Sequence, residues 1–311
     1  MVDNFMLCRR FFKSTIYMSY NLVLNSNNAI NNSTFRYNFI NGFMINDEAE
    51  LCVASIQIPY SWFNVTKAYN NNSISIIFPT AAGIQTFPIT ITDGFYTVTD
   101  INAYIQQFCI TNGLYLINGS GQYVYYLTLL YNTTYYGVQL VAQLVPTSLP
   151  SGWSAPSNWV GYYTGVARCP QLIISNNFGK LIGFNNGTFP SINTVNASIL
   201  NTFTPLGSNV NSIIVRCSLV DNQIGVPTDI LDTFPINATF GSNINYAPQA
   251  SFEWIKITSG IHQYLTITFV DQNLNALAAQ DSNVTISLLL NNKGKPSNVS
   301  QKEKEKLDIR I

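Results

Sequence analysis

The chain is organised as short runs in which apolar and polar residues alternate, separated by clusters of Asn, Ser, Thr and Gly. Alternation with a period of two indicates strands that are buried on one face, and the intervening residue types favour turns. The predicted strands cover residues 34–44, 50–58, 73–78, 84–91, 123–131, 135–145, 211–220, 251–257, 263–270 and 283–290. Many short strands with polar turns predict an all-β protein, built as a sandwich, jelly roll or barrel.

Two stretches depart from this pattern. Within residues 97–108, apolar residues recur at positions i, i+3, i+4 and i+7 from Ile101, which predicts one short amphipathic helix. We expect Thr99 to be its N-cap and the Asn-Gly pair at 112–113 to end it. Residues 146–170 collect Pro, Ser and Gly and predict a long surface loop.

Composition narrows the fold class further. The 311 residues are 47% hydrophobic and only 10% charged, whereas an average soluble domain has about 25% charged residues. Intrinsic disorder is therefore excluded, and a helical bundle is disfavoured because its outer faces need many Glu, Lys and Arg residues. The length fits two domains or one large β-rich domain.

The formal net charge is zero, but the basic residues concentrate at the two ends of the chain. Residues 1–13 form a basic N-terminal arm and residues 293–311 a charged C-terminal tail, both of which suit acidic partners. The candidate contact residues in these ends are Arg9, Arg10, Lys13, Lys302, Lys304 and Lys306. No apolar window is long enough to predict a transmembrane helix. Residues 1–24 resemble a signal peptide only superficially, because polar residues interrupt the apolar part and no small-residue cleavage site follows.

The five cysteines are odd in number, widely separated and never spaced as C-x-x-C. They are Cys8, Cys52, Cys109, Cys169 and Cys217. This pattern argues against a disulfide framework and against a zinc site, and it favours a reducing compartment.

Candidate catalytic residues are few. His262 is the only histidine, so any Ser-His-Asp or Cys-His site must use it, and its position at the entrance of a predicted strand favours a turn residue. Asp229 and Asp232 are the closest pair of carboxylates in a flexible context, but their flanking residues do not suggest a glycosidase site. Residues 101–220 contain no carboxylate at all. The sequence therefore predicts a protein that is not an enzyme and has no cofactor or metal site.

Two motifs resemble ligand-binding loops. The segment 119–121, Gly-Ser-Gly, is followed by no helix and predicts a hairpin turn rather than a phosphate loop. The segment 271–275 begins like a calcium loop, but Ala276 and Ser282 stand where such a loop needs Gly and Glu. Its expected role is turn formation between strands.

Aromatic residues offer another kind of surface. They could stack on sugars or bases, or they could fill cores and subunit contacts. Nucleic-acid binding would need basic residues interleaved with the aromatic ones, and residues 14–292 largely lack them. The residues concerned are the pairs Trp62-Phe63, Tyr135-Tyr136 and Tyr162-Tyr163, with Trp153 and Trp159.

Six segments occur in a fixed order along the chain. They are Ser55-Ile-Gln-Ile-Pro59 through Val65, Asn70-Asn71-Asn72, Ile89 through Thr97, Leu181-Ile-Gly183-Phe184, Leu265 through Asp271, and Asn283 through Leu288. This ordered set resembles the penton proteins of virophages, including Sputnik, and of the related Polinton-type double-stranded DNA viruses. Penton proteins are the vertex, or minor capsid, proteins of these particles. The one departure is Thr92, where the family pattern has Pro.

The resemblance implies a structural capsid protein with a single jelly roll and an inserted second β-rich domain that projects outward. Residues 14–62 and 206–292 would form the jelly roll, and residues 63–205 the insertion. Five copies would form the vertex of an icosahedral capsid, next to hexons of the major capsid protein, in a virion assembled in the host cytoplasm. Further implied partners are a host or giant-virus surface glycan and packaged DNA, the latter through the basic arms on the inner face of the shell.

One argument for this arrangement is independent of the resemblance. The strands predicted after residue 210 cannot close a sandwich alone without exposing an edge, so they should pair with the early strands. Two rival functions remain open. One is a carbohydrate-binding jelly-roll adhesin or receptor-binding protein, and the other is a hydrolase that uses His262, Asp229 or Asp232.

Overall fold

The computed structural model describes residues 17–293, with side chains for all of these except residues 17, 18 and 293. Within this range strands are the main secondary structure, and they are joined by loops, two α-helices and a 3-10 turn at Ser26–Asn28. In chain order the elements are β1 Tyr17–Leu24, β2 Ala29–Asn31, β3 Thr34–Ile45, β4 Glu50–Pro59, β5 Ser73–Thr80, β6 Gly83–Thr90, α1 Val98–Thr111, β7 Tyr115–Ile117, β8 Tyr123–Tyr125, β9 Leu127–Asn132, β10 Gly137–Ala142, β11 Gln171–Ile174, α2 Phe178–Ile182, β12 Gly187–Phe189, β13 Ala197–Leu200, β14 Ser212–Cys217, β15 Ile230–Pro235, β16 Asn243–Tyr246, β17 Ile255–Lys256, β18 Gly260–Asp271 and β19 Thr285–Lys293.

The chain divides into two compact units. Among the described residues, the first unit contains residues 17–61 and 210–293, and the second is the continuous segment Trp62–Asn209. The second unit therefore enters the chain between β4 and β14. That it projects outward stays a prediction.

The first unit is a jelly roll. Its two antiparallel sheets have the strand orders β1-β19-β4-β16 and β15-β14-β18-β3-β2, and β17 also pairs with β4. When β1, β3, β4, β14, β15, β16, β18 and β19 are lettered B to I, the sheets become B-I-D-G and F-E-H-C, the arrangement of two Greek keys in a jelly roll. The all-β jelly-roll prediction is confirmed, and late strands pair with early ones as expected.

The core of the jelly roll lies between these two sheets and is rich in aromatic rings. Phe35 of β3 meets Phe269 of β18 edge to face, with ring centroids 6.0 Å apart. Phe43 of β3 contacts Tyr20 of β1 in the other sheet at 5.1 Å. Such edge-to-face pairs add to the stabilisation from burial of the rings. Alternation along β3 and β18 therefore fixes which residues face the core and which face outward.

The insertion has three small antiparallel sheets of its own, ordered β12-β11-β5-β6, β13-β10-β9 and β7-β8. Helix α1 buries Ile101, Ile105 and Cys109, the face that the periodicity predicted. Its N-cap is Thr97 and not Thr99, because the side chains of Thr97 and Asp100 cap each other's backbone amides in a capping box. The helix ends at Asn112, as expected.

Several elements differ from the predicted ones. Strand β1 lies in the stretch that resembled a signal peptide, and residues 123–131 form two strands, β8 and β9. The predicted strand at 251–257 shrinks to the two residues of β17, and the one-turn helix α2 was not predicted. Strands of three or four residues, such as β7 and β13, are too short to show a periodic signal. The expected loop at 146–170 contains no helix or strand.

Candidate assembly surface

Strands β3 and β18 of the jelly roll carry exposed apolar side chains on their outer face. Met44 and Ile261 lie directly opposite each other in the register and are 55% and 65% exposed. Ile40 is 90% exposed and Tyr264 46%. We call Ile40, Met44, Ile261 and Tyr264 the β3–β18 patch. Contiguous exposed apolar side chains on a soluble domain mark contact sites for other proteins.

The local backbone explains why Ile40 faces outward. Phe39 and Phe43 stack on the inner side with ring centroids 5.3 Å apart, so that the chain between them must bulge. Asn41 and Gly42 supply the bulge with φ values of 59° and 80°, conformations that Asn and Gly adopt most readily. The register between β3 and β18 shifts at the same place. Ile40 is thereby turned away from the core.

The patch is poor in charge. Arg36 is the one charged residue of β3, and its guanidinium lies over the Tyr264 ring, 4.5 Å from the centroid. This cation–π contact places the positive charge of Arg36 beside the apolar side chains of the patch. An apolar centre containing an aromatic ring, with a single arginine beside it, is typical of the centre of a protein–protein interface.

The two carboxylates considered for catalysis have separate structural partners. The Asp229 carboxylate forms an ion pair with Arg216, whose Nε lies 3.0 Å from both carboxylate oxygens. Asp232 lies opposite the buried Val215 in the register and accepts a hydrogen bond from the Tyr246 hydroxyl at 3.0 Å. Neither carboxylate is paired with the other or with His262.

The environment of Asp232 gives a prediction about stability. Burial raises its pKa, and this is only partly offset by hydrogen bonds from the Thr233 amide and the Tyr246 hydroxyl. Because the fold favours the protonated carboxyl, this group's contribution to stability is greatest below the ordinary aspartate pKa and falls as the pH rises through the raised value. We therefore expect Asp232→Asn to increase the free energy of unfolding at pH 7 and to flatten its dependence on pH. Urea denaturation at several pH values measures both.

The matched control is Asp229→Asn, which removes the ion pair with Arg216. That pair is about one-third exposed, so its loss should cost at most about 1 kcal/mol and should bring no gain. A lower stability of Asp232→Asn at pH 7 would contradict the prediction, because the charged carboxylate would then be stabilising the fold.

The remaining polar motifs are structural. A ring nitrogen of His262 lies 2.9 Å from the Thr258 carbonyl oxygen at the start of β18. The Asp271 carboxylate accepts hydrogen bonds from the backbone amides of Asn273 and Asn275 at 2.8 and 2.9 Å, which confirms the turn interpretation of that loop. Segment 119–121 is the turn of the β7–β8 hairpin, as predicted. Among the described residues, no group of three His, Cys, Asp or Glu side chains could hold a metal ion.

The four described cysteines are unpaired and buried. Burial raises the pKa of Cys52 and Cys217 to about 11 and that of Cys109 to about 12. A raised thiol pKa disfavours the reactive thiolate, so these side chains are core residues and not nucleophiles. Cys8 lies outside the described residues.

The aromatic residues divide into buried and displayed ones. Trp62 is buried, and Trp159 packs edge to face on Phe78 with centroids 6.2 Å apart, so both fill cores. Tyr135 and Tyr136 are exposed at the turn of the β9–β10 hairpin. Of the two roles left open for the aromatic residues, core filling therefore holds for Trp62 and Trp159, whereas Tyr135 and Tyr136 are displayed on the surface of the insertion.

The candidate arm residues fall outside residues 17–293, so their contacts stay a prediction. They are Arg9, Arg10, Lys13, Lys302, Lys304 and Lys306. No helix in the described part of the chain is long and apolar enough to cross a membrane.

The sequence matches no protein-family model and no curated protein. Among solved structures, the chain is similar to a mavirus penton protein, with 11% identity and a TM-score of 0.44 over 90% of this chain and 100% of that one. It is also similar to a chain in the cryo-EM structure of the Sputnik virophage, with 15% identity and a TM-score of 0.37 over 89% and 98%.

One of these two solved structures is named as a penton protein, and the other comes from a virophage. Both similarities are loose, and the jelly-roll assignment follows from the strand order of this chain alone.

Sequence reasoning missed the β3–β18 patch. The sequence did contain a sign of it, because Arg36, Asn38 and Ile40 alternate with aromatic residues along β3. Ile40 is thus an apolar residue on the side of the strand that is otherwise polar. An apolar residue on the polar side of a predicted strand is a usable sign of a contact surface.

Proposed function

We propose that this chain is a structural capsid protein that forms the homopentameric vertex of an icosahedral double-stranded DNA virophage. The observation that carries the proposal is the jelly-roll strand order, interrupted between β4 and β14, its third and fourth strands, by a second compact unit. Double-sheet jelly rolls are the fold of many viral shell proteins. The ordered penton-like segments in the sequence support the same role, and the proposal assigns no catalytic step to the chain.

A five-fold ring places a demand on the subunit surface. Ring contacts are heterologous, so one face of each subunit must meet a different face of its neighbour. The β3–β18 patch has the composition expected of one such face, with four exposed apolar or aromatic side chains and one arginine beside them. We infer that it is buried against a neighbouring copy in the vertex.

Further partners follow from the same role. Hexons of the major capsid protein surround the vertex, and an outward-facing insertion presents the exposed Tyr135 and Tyr136 to a host or giant-virus surface glycan. Assembly in the host cytoplasm agrees with the unpaired cysteines, which suit a reducing compartment.

The basic ends should act mainly in the particle and contribute little to the stability of the fold. We expect deletion of residues 1–13 and 293–311 to leave the melting temperature nearly unchanged and to reduce incorporation into particles, because lysine-rich segments gain most from acidic proteins or packaged DNA. Thermal unfolding and the copy number per purified particle measure the two effects. A full-length control with Arg9, Arg10 and Lys13 changed to Gln separates the loss of charge from the loss of chain length. Unfolding of the truncated protein would contradict the prediction and make the ends structural.

The deciding experiment is a reconstruction of the virion. The proposal expects five copies of this chain around each five-fold axis. A position away from these axes, or any other copy number around them, would overturn it. Binding of the isolated monomer to a glycan array, without association with particles, would favour the adhesin.

A further inference from the structure

A cleft of about 650 Å³ lies at one end of the jelly roll, where the β3–β4 turn, the β14–β15 loop and the connection from β16 to β18 meet. Its volume is within the range of sites that hold a small molecule or a short peptide segment. The lining residues are Asp47, Asp221, Asn222, Gln223, Ile224, Trp254, Ile255, Lys256, Ile257, Thr258 and Ser259.

Backbone hydrogen bonds tie the three walls of this cleft together. The Ile257 amide donates to the Ala49 carbonyl at 3.2 Å, and the Thr258 amide donates to the Leu219 carbonyl at 2.8 Å. Strand β17, which also lines the cleft, pairs with the start of β4. The cleft is therefore formed before any ligand enters, which lowers the entropic cost of binding.

The chemistry of the cleft is both apolar and acidic. Ile224 is 96% exposed, and the Trp254 ring lies beside Phe252 with centroids 6.3 Å apart. Asp47 and Asp221 face solvent at its walls, against the single amine of Lys256. A complementary occupant would carry aromatic or aliphatic side chains together with positive charge.

The described chain begins near this cleft. Ser19 of β1 is opposite Asn291 of β19, Asn291 is opposite Glu50 of β4, and Glu50 is opposite Lys256 of β17. This row crosses three strand spacings, so Ser19 and the cleft residue Lys256 are about 15 Å apart. Residues 17 and 18 are paired in β1, so the connecting segment is counted from Tyr17. Five extended residues span up to about 17 Å, so residue 12 and those before it can reach the cleft of their own molecule.

We propose that residues 5–13 of this chain dock in the cleft of the same molecule. Their sequence is Phe-Met-Leu-Cys-Arg-Arg-Phe-Phe-Lys, which combines three aromatic rings with three positive charges. The C-terminal tail leaves β19 at the same end, but residues 294–311 contain no aromatic residue and carry Glu303, Glu305 and Asp308 among their basic residues. The N-terminal segment therefore matches the cleft in both its aromatic rings and its positive charge, whereas the tail matches it only in positive charge.

This inference does not depend on the vertex role. It concerns the free protein, in which the segment covers exposed apolar side chains of its own chain. In a particle the same basic residues would be available to other partners only after the segment leaves the cleft.

The test uses Cys8, which lies in the proposed segment, while the other four cysteines are buried. In the full-length protein, Gln223→Cys adds a thiol at an exposed position of the cleft wall. A short bismaleimide should then join Cys8 to position 223 within one chain, as identified by peptide mapping. The control is Asn237→Cys, an exposed position in the β15–β16 loop at the opposite end of the jelly roll. We expect the yield at position 223 to be about tenfold higher than at the control position, because docking raises the local concentration of Cys8.

A second variant tests the basis of recognition. Adding Asp47→Lys and Asp221→Lys to Gln223→Cys reverses the charge of the cleft and should lower the yield to that of the control. Equal yields at positions 223 and 237 would overturn the proposal. A product that joins two chains and grows with protein concentration would also overturn it and would assign the cleft to a second copy.

Discussion

Changing Ile40 and Ile261 to lysine together is expected to abolish incorporation of the protein into particles while leaving its fold intact. Both side chains face solvent in the subunit, so the change should alter the free energy of unfolding by only about 0.5 kcal/mol. In an assembled vertex the same positions would place two ammonium groups in an apolar contact. Central interface residues are worth about 2 kcal/mol each, so the subunit contact should weaken roughly a thousandfold.

The measurement is the copy number of the variant in purified particles, with thermal unfolding as the check on the fold. A matched control is the double change Ile192→Lys and Val195→Lys in the insertion, where the two side chains are 66% and 57% exposed. This control adds the same charge to an equally apolar surface outside the jelly roll and should incorporate normally. Normal incorporation of the β3–β18 variant would remove the patch from the assembly interface.

The sequence predicted the fold class well because the long strands alternate clearly. Strands β3, β4 and β18 each have ten or more residues, and the alternation of buried and exposed positions is strong in β3 and β18. That late strands pair with early ones also followed from a physical requirement, since the late strands would otherwise expose an edge. The structure shows this pairing between β18 and β3 and between β19 and β4. Length and periodicity were sufficient at this level.

Prediction failed at one local capping pair and at sites that combine residues distant in sequence. Thr99 has the right residue type for an N-cap, but the position of Asp100 selects Thr97, because only that pair completes a capping box. The cleft at the end of the jelly roll combines residues near 47, 221 and 256, and no local pattern relates these three places. The β3–β18 patch needs the register of two strands that are more than 200 residues apart.

The loop at 146–170 shows a similar limit, because its composition predicted a surface loop but not its attachment to α1. Asn158 donates from its side-chain amide to the carbonyl oxygens of Ile110 and Thr111 at 3.0 and 3.2 Å. The Val160 amide donates to the Gly113 carbonyl oxygen at 3.3 Å. The loop therefore supplies hydrogen-bond donors to carbonyl oxygens at the end of the helix, where the last carbonyls have no donor within the helix itself.

Because of this attachment, substitution of Gly113 is expected to lower stability strongly. Gly113 has φ of 66°, and a Cβ atom there would lie 1.9 Å from the carbonyl oxygen of Asn158. In Gly113→Ala the loop must move away and break its hydrogen bonds to the end of α1. The left-handed backbone costs about 1–2 kcal/mol for alanine, and two or three lost hydrogen bonds add about 1 kcal/mol each. We expect a total loss of about 4 kcal/mol, or roughly 10 °C in the melting temperature of the insertion.

Gly121→Ala is the control that isolates the clash from the backbone strain. Gly121 also has a positive φ, 76°, in the β7–β8 turn, but no atom lies within 4 Å of the position that its Cβ would occupy. Its replacement should therefore cost only the backbone term, about 1–2 kcal/mol. Hydrogen exchange provides the local check, because the Val160 amide should lose protection in Gly113→Ala and keep it in Gly121→Ala. Equal losses of stability in the two variants would mean that the loop yields without cost, and that the contact between Asn158 and the end of α1 does not hold the loop in place.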